Sequence, residues 1–371
     1  MRVLHICIYF RNPMFMGLMN AQEQLGIDKR VFYYETRRIG LKAYNLPYVD
    51  SYSYTGRFLP SPYLRFARLL IVAKRMLEKY AVNHEYDCVH AHTLIEDGYL
   101  ALQIHKKWGI PYVITVRDSD FHFKPYWHWG IYKNIISEII ENADSFIFLS
   151  KSSERTFGNM LKECGINISN IVSYVIPNGV DSFWHEHRYY RTDEAKSPKS
   201  KWRIITVGKI CKRKNQVTTC EAVSQLVDEG YDIEYEIIGK QEDVSMAKTI
   251  AEYRCVSMRE FMNKEELIKE YRKNDIFLLA STNETFGLVY AEAMTQGLPV
   301  IYTKGQGFDE QFSSGEVGYA VQCDSIEQIK KEILHVMDNY NELTKRCSEK
   351  SKVFDWNIVA REFKTVYENT I

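Results

Sequence analysis

Hydrophobic and polar positions form short alternating blocks along this chain. Runs rich in β-branched and aromatic residues are separated by segments long enough for a helix. This alternation is typical of parallel sheets wrapped by helices. In the first half, strands are predicted at RVLHICI (2–8), KRVFYY (29–34), DCVHAH (87–92), PYVITV (111–116), DSFIFLS (144–150) and VSYVI (172–176). In the second half, they are predicted at RIITVG (203–208), IEYEII (233–238), DIFLLA (275–280), LPVIY (298–302) and GYAVQ (318–322).

The two series of strands predict two α/β domains. A chain of 371 residues exceeds the usual size of a single core, and its 45% of hydrophobic residues excludes a largely disordered protein. Between the two series lies a polar segment, residues 185–201, which we interpret as a linker. We therefore predict an N-terminal domain of residues 1–180 and a C-terminal domain of residues 181–354.

The amino-acid composition limits the classes of function that this chain can have. Lysine plus arginine balance aspartate plus glutamate at 48 each, so nothing global indicates nucleic-acid binding, although the first 180 residues are mildly basic. The eight cysteines are scattered and form no CxxC pair, as in reduced, cytoplasmic proteins. No apolar run approaches the ~20 residues of a membrane-spanning helix.

Residues 281–296 contain, in sequence order, the elements of an anion-binding site. A strand ends at Ala280, a loop carries Glu284, and a helix is predicted from about Phe286. The free N–H groups at such a helix start attract a phosphate, and Gly287 would allow close approach. Glu292, about two turns along, could accept hydrogen bonds from a ribose. The alternative is a solvated helix with two unrelated glutamates.

The segment ETFGLVYAEAMTQGLPVI (284–301) resembles the E-x7-E motif of the GT-B glycosyltransferases, specifically the retaining family 4. Similar segments follow the order of that family. They are VIPNGVD (175–181), VGKICKRKN (207–215), IIGKQED (237–243), GQGFDEQ (305–311) and FDWNIVAREFKTVY (354–367). The resemblance implies a GT-B fold, in which two Rossmann-like, doubly wound parallel-sheet domains face a central cleft. It also implies that the last helix, 355–371, packs back on the N-terminal domain.

The resemblance also assigns the donor-binding residues. Glu292 would bind the ribose, Glu284 would lie by the donor sugar, and Lys209 and Lys214 would neutralise the diphosphate and its leaving charge. Lys209 replaces the arginine that is usual in the family, so a compact ammonium group replaces a planar guanidinium with several N–H donors. The remaining residues assigned to the donor are Gly17, Gly208, Gly239, Thr285, Phe286, Gly287 and Leu288. Gly17 stands alone where relatives carry a glycine pair.

Two neighbouring features concern the rest of the donor. The base is expected near 237–243 and the segment after RCVSMREF (254–261), with uridine favoured. The glycines of GQGFDEQ (305–311) half-match a dinucleotide GxGxxG, which belongs at the first strand–helix turn of a domain and not this late. We instead expect a loop whose amides meet the donor sugar, with Glu310 supporting the turn.

The N-terminal domain carries its polar groups just past a strand, at Arg117, Asp118, Asp120 and His122. Asp118-Ser119-Asp120 imitates the metal-binding DxD of a different glycosyltransferase class. The family resemblance favours a metal-free site in which Asp120 is the active-site carboxylate and Arg117 fixes it or contacts phosphate. Asp118 and His122 would then face the cleft or the acceptor.

His90 and His92 lie at alternate positions of one strand end, so both could face the same way. Zinc binding would need further ligands, and no third cysteine or histidine falls nearby in the sequence. We expect one packed histidine and one polar group in the cleft, His92.

The segment 63–80 predicts an amphipathic helix with Arg65, Arg68, Lys74 and Arg75 around an apolar stripe. Its stripe would cover the domain core or lie on an anionic bilayer. The aromatic stretch 121–132 suits sugar stacking and membrane interfaces equally well.

These features predict a glycosyltransferase that moves a hexose-type sugar from a nucleotide-diphosphate donor, a UDP-sugar, to a hydroxyl of a saccharide or lipid-linked acceptor. The family implies retention at the anomeric carbon, no metal or other cofactor, and a role in cell-surface polysaccharide or glycolipid synthesis. The expected location is cytoplasmic, with peripheral contact at the inner face of the membrane through the N-terminal domain. The alternatives are a nucleotide-sugar epimerase or hydrolase on the same fold and a catalytically silent sugar-binding protein.

Overall fold

The computed structural model describes residues 1–35, 46–53, 62–80, 85–121, 130–166, 171–191 and 200–371. The chain forms two compact units. Unit 1 draws on residues 1–149, 153–177 and 356–371, and unit 2 on residues 150–152 and 178–355.

The described part of unit 1 is built on a parallel sheet of seven strands. They are β1 (Arg2–Ile6), β2 (Asp28–Glu35), β3 (Val49–Ser53), β4 (Cys88–Ala91), β5 (Tyr112–Val116), β6 (Ser145–Phe148) and β7 (Ser173–Val175). Their spatial order is β3-β2-β1-β4-β5-β6-β7, and all neighbouring pairs are parallel. The order reverses between β1 and β4, where doubly wound sheets bind ligands beyond the carboxyl ends of the strands.

Unit 2 is built on a second parallel sheet, of six strands. They are β8 (Trp202–Val207), β9 (Ile233–Ile238), β10 (Val256–Arg259), β11 (Ile276–Leu279), β12 (Val300–Thr303) and β13 (Gly318–Val321). The order β10-β9-β8-β11-β12-β13 reverses between β8 and β11. The two doubly wound sheets confirm the predicted Rossmann-like fold class.

The described helices are numbered along the chain. They are α1 (Pro13–Gln24), α2 (Pro62–Lys79), α3 (Glu96–Trp108), α4 (Asp118–Phe121), α5 (Gly130–Asn142), α6 (Lys151–Glu163), α7 (Ser182–Glu186), α8 (Gln216–Asp228), α9 (Val244–Ile250), α10 (Lys264–Lys273), α11 (Leu288–Thr295), α12 (Ile326–Asp338), α13 (Tyr340–Lys350) and α14 (Trp356–Thr370). Short 3-10 turns occupy Lys212–Lys214 and Ser351–Phe354. Across the described ranges, no helix combines the length and the apolar character needed to cross a bilayer.

The sheet of unit 1 is covered on both faces. Leu4 and Ile6 of β1 belong to one buried cluster, with α2, α3 and α5, whereas Val3 belongs to another, with α1 and α14. Successive strand side chains point to opposite faces, so a strand buried on both faces must be apolar at nearly every position. That requirement explains why such strands are visible in the sequence as continuous apolar runs.

Two strands were missed by the sequence analysis, and both lie at a sheet edge. The eleven predicted strands are present, but β3 (VDSYS) and β10 (VSMR) have no apolar run. Positions in β10 alternate between half-buried and exposed. An edge strand packs against one neighbour only, and burial therefore demands fewer apolar residues of it.

The predicted linker, 185–201, is wrong for its first part. Residues 185–191 pack into unit 2, where the buried Arg191 guanidinium donates to the carbonyls of Gln296 (3.0 Å) and Tyr271 (2.8 Å). A buried cation with carbonyl partners anchors a segment that looks too polar to be part of a core. Residues 192–199 lie outside the described residues.

Gly17 lies within α1, at the contact with the last helix of the chain. A Cβ atom at this position would be 2.3 Å from Nε1 of the Trp356 indole. Its assignment to the donor is therefore corrected: the space beside Gly17 holds the indole of Trp356 and not a phosphate. The helix packing needs a residue without a side chain here.

We predict that Gly17→Ala destabilises the protein by about 1–3 kcal/mol, because the added methyl forces the Trp356 ring and α14 to shift. The free energy of unfolding from urea titrations measures the effect.

Gly158→Ala is the matched control. Gly158 is also a helical glycine, but a Cβ there meets no atom within 4 Å. This variant should be unchanged or more stable by about 0.5–1 kcal/mol, since alanine favours the helix. Equal stability of the two variants would contradict the packing role of Gly17.

Candidate active site

The best-formed candidate site lies at the carboxyl edge of the sheet of unit 2. Loops there follow β8, β9, β11 and β12, and they carry almost all residues assigned to the donor. These loops meet because the carboxyl ends of parallel strands share one edge.

A buried ion pair joins the loops after β8 and β11. Lys214 Nζ lies 2.5 Å from Glu284 Oε2, and both side chains are only 10% exposed. The Ser281 hydroxyl donates to the same oxygen at 3.2 Å. Burial of two charges is costly unless they pair closely, so this contact fixes both side chains and the two loops that carry them.

Arg213 is a second cation beside Glu284, and the sequence analysis missed it. Its Nη1 donates to the carbonyl of Asn283 at 2.8 Å and lies 3.5 Å from Glu284 Oε2. The amide of Thr282 donates to the Arg213 carbonyl at 2.9 Å. The signal available in the sequence was its place in the basic turn 212–214, directly before Lys214.

Helix α11 begins at Leu288, just after the start that was predicted near Phe286-Gly287. Gly287 caps it with φ of 77°, a left-handed conformation that favours glycine, and a Cβ there would be 2.4 Å from the Tyr290 ring. The amides of Gly287, Leu288 and Val289 donate to no acceptor among the described residues. Such free amides at a helix start form an anion-binding site.

The flanking donor residues differ in what they can present to a ligand. The Phe286 ring is buried among Phe308 and Phe354, so only its backbone remains for contact. Thr285 and Leu288 are partly exposed.

The second glycine loop packs directly against the Glu284 loop. The Gly307 amide donates to the Glu284 carbonyl at 3.0 Å, and the Glu284 amide donates to Gln306 Oε1 at 2.9 Å. A Cβ at Gly307 would lie 1.7 Å from the Thr285 carbonyl oxygen. No helix begins within residues 304–317, so the dinucleotide alternative lacks the helix that it requires. Glu310 occupies the turn with φ of 64°.

Gly208 and Gly239 keep the ends of β8 and β9 in contact. A Cβ at Gly239 would be 2.2 Å from the Gly208 carbonyl oxygen, and one at Gly208 would be 3.4 Å from Lys214 Cε. Both positions therefore allow close backbone approach beside the buried lysine.

Lys209 differs from Lys214 in its surroundings. Its side chain is 61% exposed, and Nζ pairs with Glu242 at 2.6 Å. An exposed ion pair contributes little to stability, so Lys209 can exchange this partner at small cost. Of the two cations predicted from the segment 207–215, Lys214 is thus held in place and Lys209 is mobile.

Glu292 lies on α11, apart from the Lys214–Glu284 pair. It is partly buried, and the Tyr271 hydroxyl lies 3.5 Å from its Oε2. Burial, with a smaller contribution from the negative charge of Asp181, raises the pKa of Glu292 to about 7. Its carboxyl therefore titrates near neutral pH.

Unit 1 contains a second polar group, at the carboxyl ends of β4 and β5. Asp120 is buried on α4 and accepts a hydrogen bond from the Arg117 amide at 2.9 Å, and burial raises its pKa to about 7. Arg117 fixes Asp120 through its backbone, because its guanidinium donates instead to the His92 carbonyl at 3.0 Å. The guanidinium also lies 5.0 Å from the Phe15 ring centroid.

Asp97 is a buried carboxyl of this region that the sequence analysis missed. It accepts a hydrogen bond from the Ile8 amide at 3.3 Å, which ties the loop after β1 to α3. Burial raises its pKa well above the usual range. Glu96 and Asp97 are adjacent in the first turn of α3. They gave no sequence signal, because acidic residues are common in the first turn of a helix.

The two strand-end histidines are both fully buried, which corrects the prediction that His92 faces the cleft. A third histidine, His5 of β1, joins them: His5 Nδ1 lies 3.0 Å from His92 Nε2, and the rings of His90 and His92 stack at 3.9 Å. His5 lies opposite His90 in the sheet register. The third histidine was absent from the local sequence because it comes from a neighbouring strand.

Two further predicted residues have little structural description. Asp118 is the first residue of α4. His122 lies outside the described residues.

Comparison with known proteins places the chain in a family. Residues 14–182 match the family described as Glycosyltransferase Family 4, and residues 191–354 match Glycosyl transferases group 1. The chain is a GT-B glycosyltransferase of the family 4 type. The two matches together span both units of this glycosyltransferase.

Individual proteins resemble this transferase over most of its length. The alpha-monoglucosyldiacylglycerol synthase of Acholeplasma laidlawii is 25% identical over 344 residues, which cover 85% of this chain and 83% of that protein. A sucrose-phosphate synthase structure from Thermosynechococcus elongatus has a TM-score of 0.73 at 17% identity and covers 99% of this chain and 98% of that one. The structure of Anabaena HepE in complex with UDP and glucose has a TM-score of 0.67 at 14% identity, with both chains fully covered. The two structures support the shared fold.

Proposed function

We propose that this glycosyltransferase moves a hexose-type sugar from a UDP-sugar to a hydroxyl of a saccharide or lipid-linked acceptor, with retention at the anomeric carbon. The observation that carries the proposal is the joint position of the Lys214–Glu284 pair and the free amides at the start of α11. This group offers cations and N–H donors for a diphosphate beside a fixed carboxylate for sugar hydroxyls.

The charges in unit 2 suit departure of a diphosphate. Lys214 is held in place by burial, whereas Lys209 is exposed and exchangeable. Fixed donors stabilise charge that develops on a leaving group without first having to reorganise. We therefore propose that these two lysines and the α11 amides take the role that a metal ion has in other transferases, and that the reaction needs none.

Two observations support a nucleoside-diphosphate donor, and the first of them favours UDP. The Anabaena HepE structure, with the same fold, is in complex with UDP and glucose. Glu292, on the helix that starts at the proposed phosphate site, supplies a carboxylate for ribose hydroxyls. In unit 1 we assign Asp120, held by the Arg117 amide, as the carboxylate of the reaction site.

The acceptor proposal draws on α2 and on the relatives. The Acholeplasma relative is named for a glucosylated diacylglycerol, a membrane lipid. On α2, Leu70 and Ile71 are exposed beside exposed Lys74 and Arg75, although Arg68 is buried and so is not part of this basic face. Exposed apolar and basic residues on one helix suit an anionic bilayer. We propose peripheral contact at the cytoplasmic face of the membrane, in glycolipid or cell-surface polysaccharide synthesis.

A thermal-shift panel with UDP-, GDP- and ADP-hexoses tests the donor. We expect UDP-hexoses to raise the melting temperature, because a ligand that binds only the native state stabilises it. Glu284→Ala and Glu284→Gln should both lose sugar transfer while still binding nucleotide, and the glutamine variant guards against misfolding of the alanine one.

Turnover assays with the same donors separate the alternatives. Rapid turnover of the donor without acceptor would indicate an epimerase or hydrolase. Binding without any turnover would indicate a silent sugar-binding protein. Loss of transfer after chelation by EDTA would contradict the metal-free proposal.

We predict that affinity for an intact UDP-hexose falls about tenfold as the pH drops from 8 to 6, if only ionised Glu292 binds the ribose. The carboxylate accepts hydrogen bonds from the ribose, and protonation through a pKa of about 7 removes that acceptor. Affinity is therefore full above the pKa and lost below it. Calorimetric titration across this range measures the change.

Two variants provide the controls. Glu292→Gln should bind weakly with a flat pH profile, whereas Asp120→Asn, which removes the other carboxyl with a pKa of about 7, should keep the wild-type slope. A slope that persists in Glu292→Gln would contradict the assignment.

We predict that the protein co-sediments with vesicles containing anionic phospholipid. The double variant Leu70→Glu with Ile71→Glu should reduce this binding, because the two added carboxylates would have to leave water when α2 contacts the bilayer. Val172→Glu is the control, since Val172 is an exposed apolar residue of unit 1 outside α2. Equal loss in the control, or no binding by the wild type, would refute membrane contact through α2.

A further inference from the structure

Arg213, in the loop after β8, is held at both ends by the loop after β11. Its carbonyl accepts hydrogen bonds from the Thr282 amide at 2.9 Å and from the Thr282 hydroxyl at 3.2 Å. Its guanidinium Nη1 donates to the Asn283 carbonyl at 2.8 Å. Because these contacts already restrict the side chain, a ligand that binds to it has less rotamer freedom to remove.

The anchoring contacts of the Arg213 guanidinium use Nη1 alone. Nε and Nη2 donate to no acceptor among the residues that the structure describes. The side chain is 48% exposed, so a ligand in solution can reach it. Nε and Nη2 point their N–H groups in parallel and in one plane, which is the arrangement that binds two oxygens of one phosphate.

Arg213 also lacks a carboxylate of its own. Its Nη1 lies 3.5 Å from Glu284 Oε2, but Lys214 binds the same oxygen at 2.5 Å. Glu242 pairs with Lys209 at 2.6 Å, and this hydrogen bond, with a smaller contribution from the charge of Arg213, lowers the pKa of Glu242. These three cations thus share those two carboxylates, and one positive charge stays unmatched until an anion binds.

The start of α11 lies on the other side of Glu284. A Cβ atom at Gly287 would be 3.2 Å from Glu284 Cγ, so this side chain packs against the helix start. The amides of residues 287–289 have no acceptor in the described chain. Since the guanidinium and the helix start flank the same carboxylate, we expect one diphosphate to accept hydrogen bonds from both.

We propose that Arg213 is a specificity-determining residue that binds the sugar-linked phosphate of the donor through Nε and Nη2. Glu284, which lies beside the guanidinium, is the carboxylate proposed for the sugar hydroxyls, so the phosphate nearest Arg213 is the one bonded to the sugar. Arg213 then favours nucleoside diphosphates over monophosphates. The inference rests on the proposed function for the identity of the anion.

A purely structural role is the competing explanation, because the contacts with residues 282 and 283 tie two loops together. Arg191 shows what such a role looks like in the same unit. This buried guanidinium donates through Nε, Nη1 and Nη2, to the Gln296 carbonyl, the Tyr340 hydroxyl and the Tyr271 carbonyl. Arg213, by contrast, leaves its phosphate-binding edge exposed and unbonded within the described ranges.

Calorimetric titration with UDP, UMP and inorganic pyrophosphate tests the proposal without an acceptor or turnover. Arg213→Met removes the guanidinium and keeps an unbranched stem. We expect it to lower the affinity for UDP and for pyrophosphate about tenfold, as for loss of a charge-assisted contact, and to leave the affinity for UMP unchanged. Arg213→Lys keeps the charge without the planar edge, and should recover only part of the loss.

Arg346→Met is the matched control. Arg346, on α13, is also 48% exposed, and its guanidinium has comparable contacts, with the Gly315 carbonyl at 3.4 Å and Glu342 at 3.5 Å. Its removal should leave all three affinities unchanged. A misfolded Arg213→Met would lose UMP as well, so the UMP titration also checks the fold of the site.

The outcomes separate this inference from the proposed function. Equal affinity of the wild type and Arg213→Met for UDP and pyrophosphate would overturn the role of Arg213 alone. A loss that is the same for UMP as for UDP would also overturn it, in favour of a structural role. If the wild type binds pyrophosphate through Arg213 but does not bind UDP, the anion site stands and the proposed UDP donor falls. Binding of neither would refute both.

Discussion

The buried contact between Lys214 and Glu284 is the constraint on which the site of unit 2 depends. A charged group inside a protein is tolerated only with a close partner, and each of these residues is the partner of the other. The pair links loops that are 70 residues apart in sequence. It therefore fixes the relative position of the strand ends β8 and β11, between which the sheet order reverses.

The remaining loops are packed around this pair by contacts that leave little freedom. Gly307 lies so close to the Thr285 carbonyl that any side chain would collide, and Phe308 packs on Tyr290 with ring centroids 4.7 Å apart. The Tyr290 hydroxyl in turn donates to the Leu279 carbonyl of β11. The amides at the start of α11 thus stay unpaired at a rigid location, as a preorganised anion site requires.

Unit 1 follows another principle, because its polar groups lie inside the core. Both ring nitrogens of His90, the Tyr367 hydroxyl and the Gln22 amide nitrogen have partners from other elements, whereas His5 Nε2, Gln22 Oε1 and His92 Nδ1 have none in the described chain. The last helix supplies Tyr367 to that network and Trp356 to the face of α1. The end of the chain is consequently part of the core that carries Arg117 and Asp120.

The sequence by itself determined the α/β class, because strands buried on both faces must be apolar. It also revealed eleven of the thirteen strands found in the described residues, together with the residues of the motif around Glu284. It did not reveal β3 and β10, whose edge positions demand little burial. Only the tertiary structure decided that Gly17 faces Trp356, that Arg213 reaches Glu284 and that His5 completes the histidine cluster. Such contacts join residues distant in the chain, and their positions follow from packing, which no local pattern records.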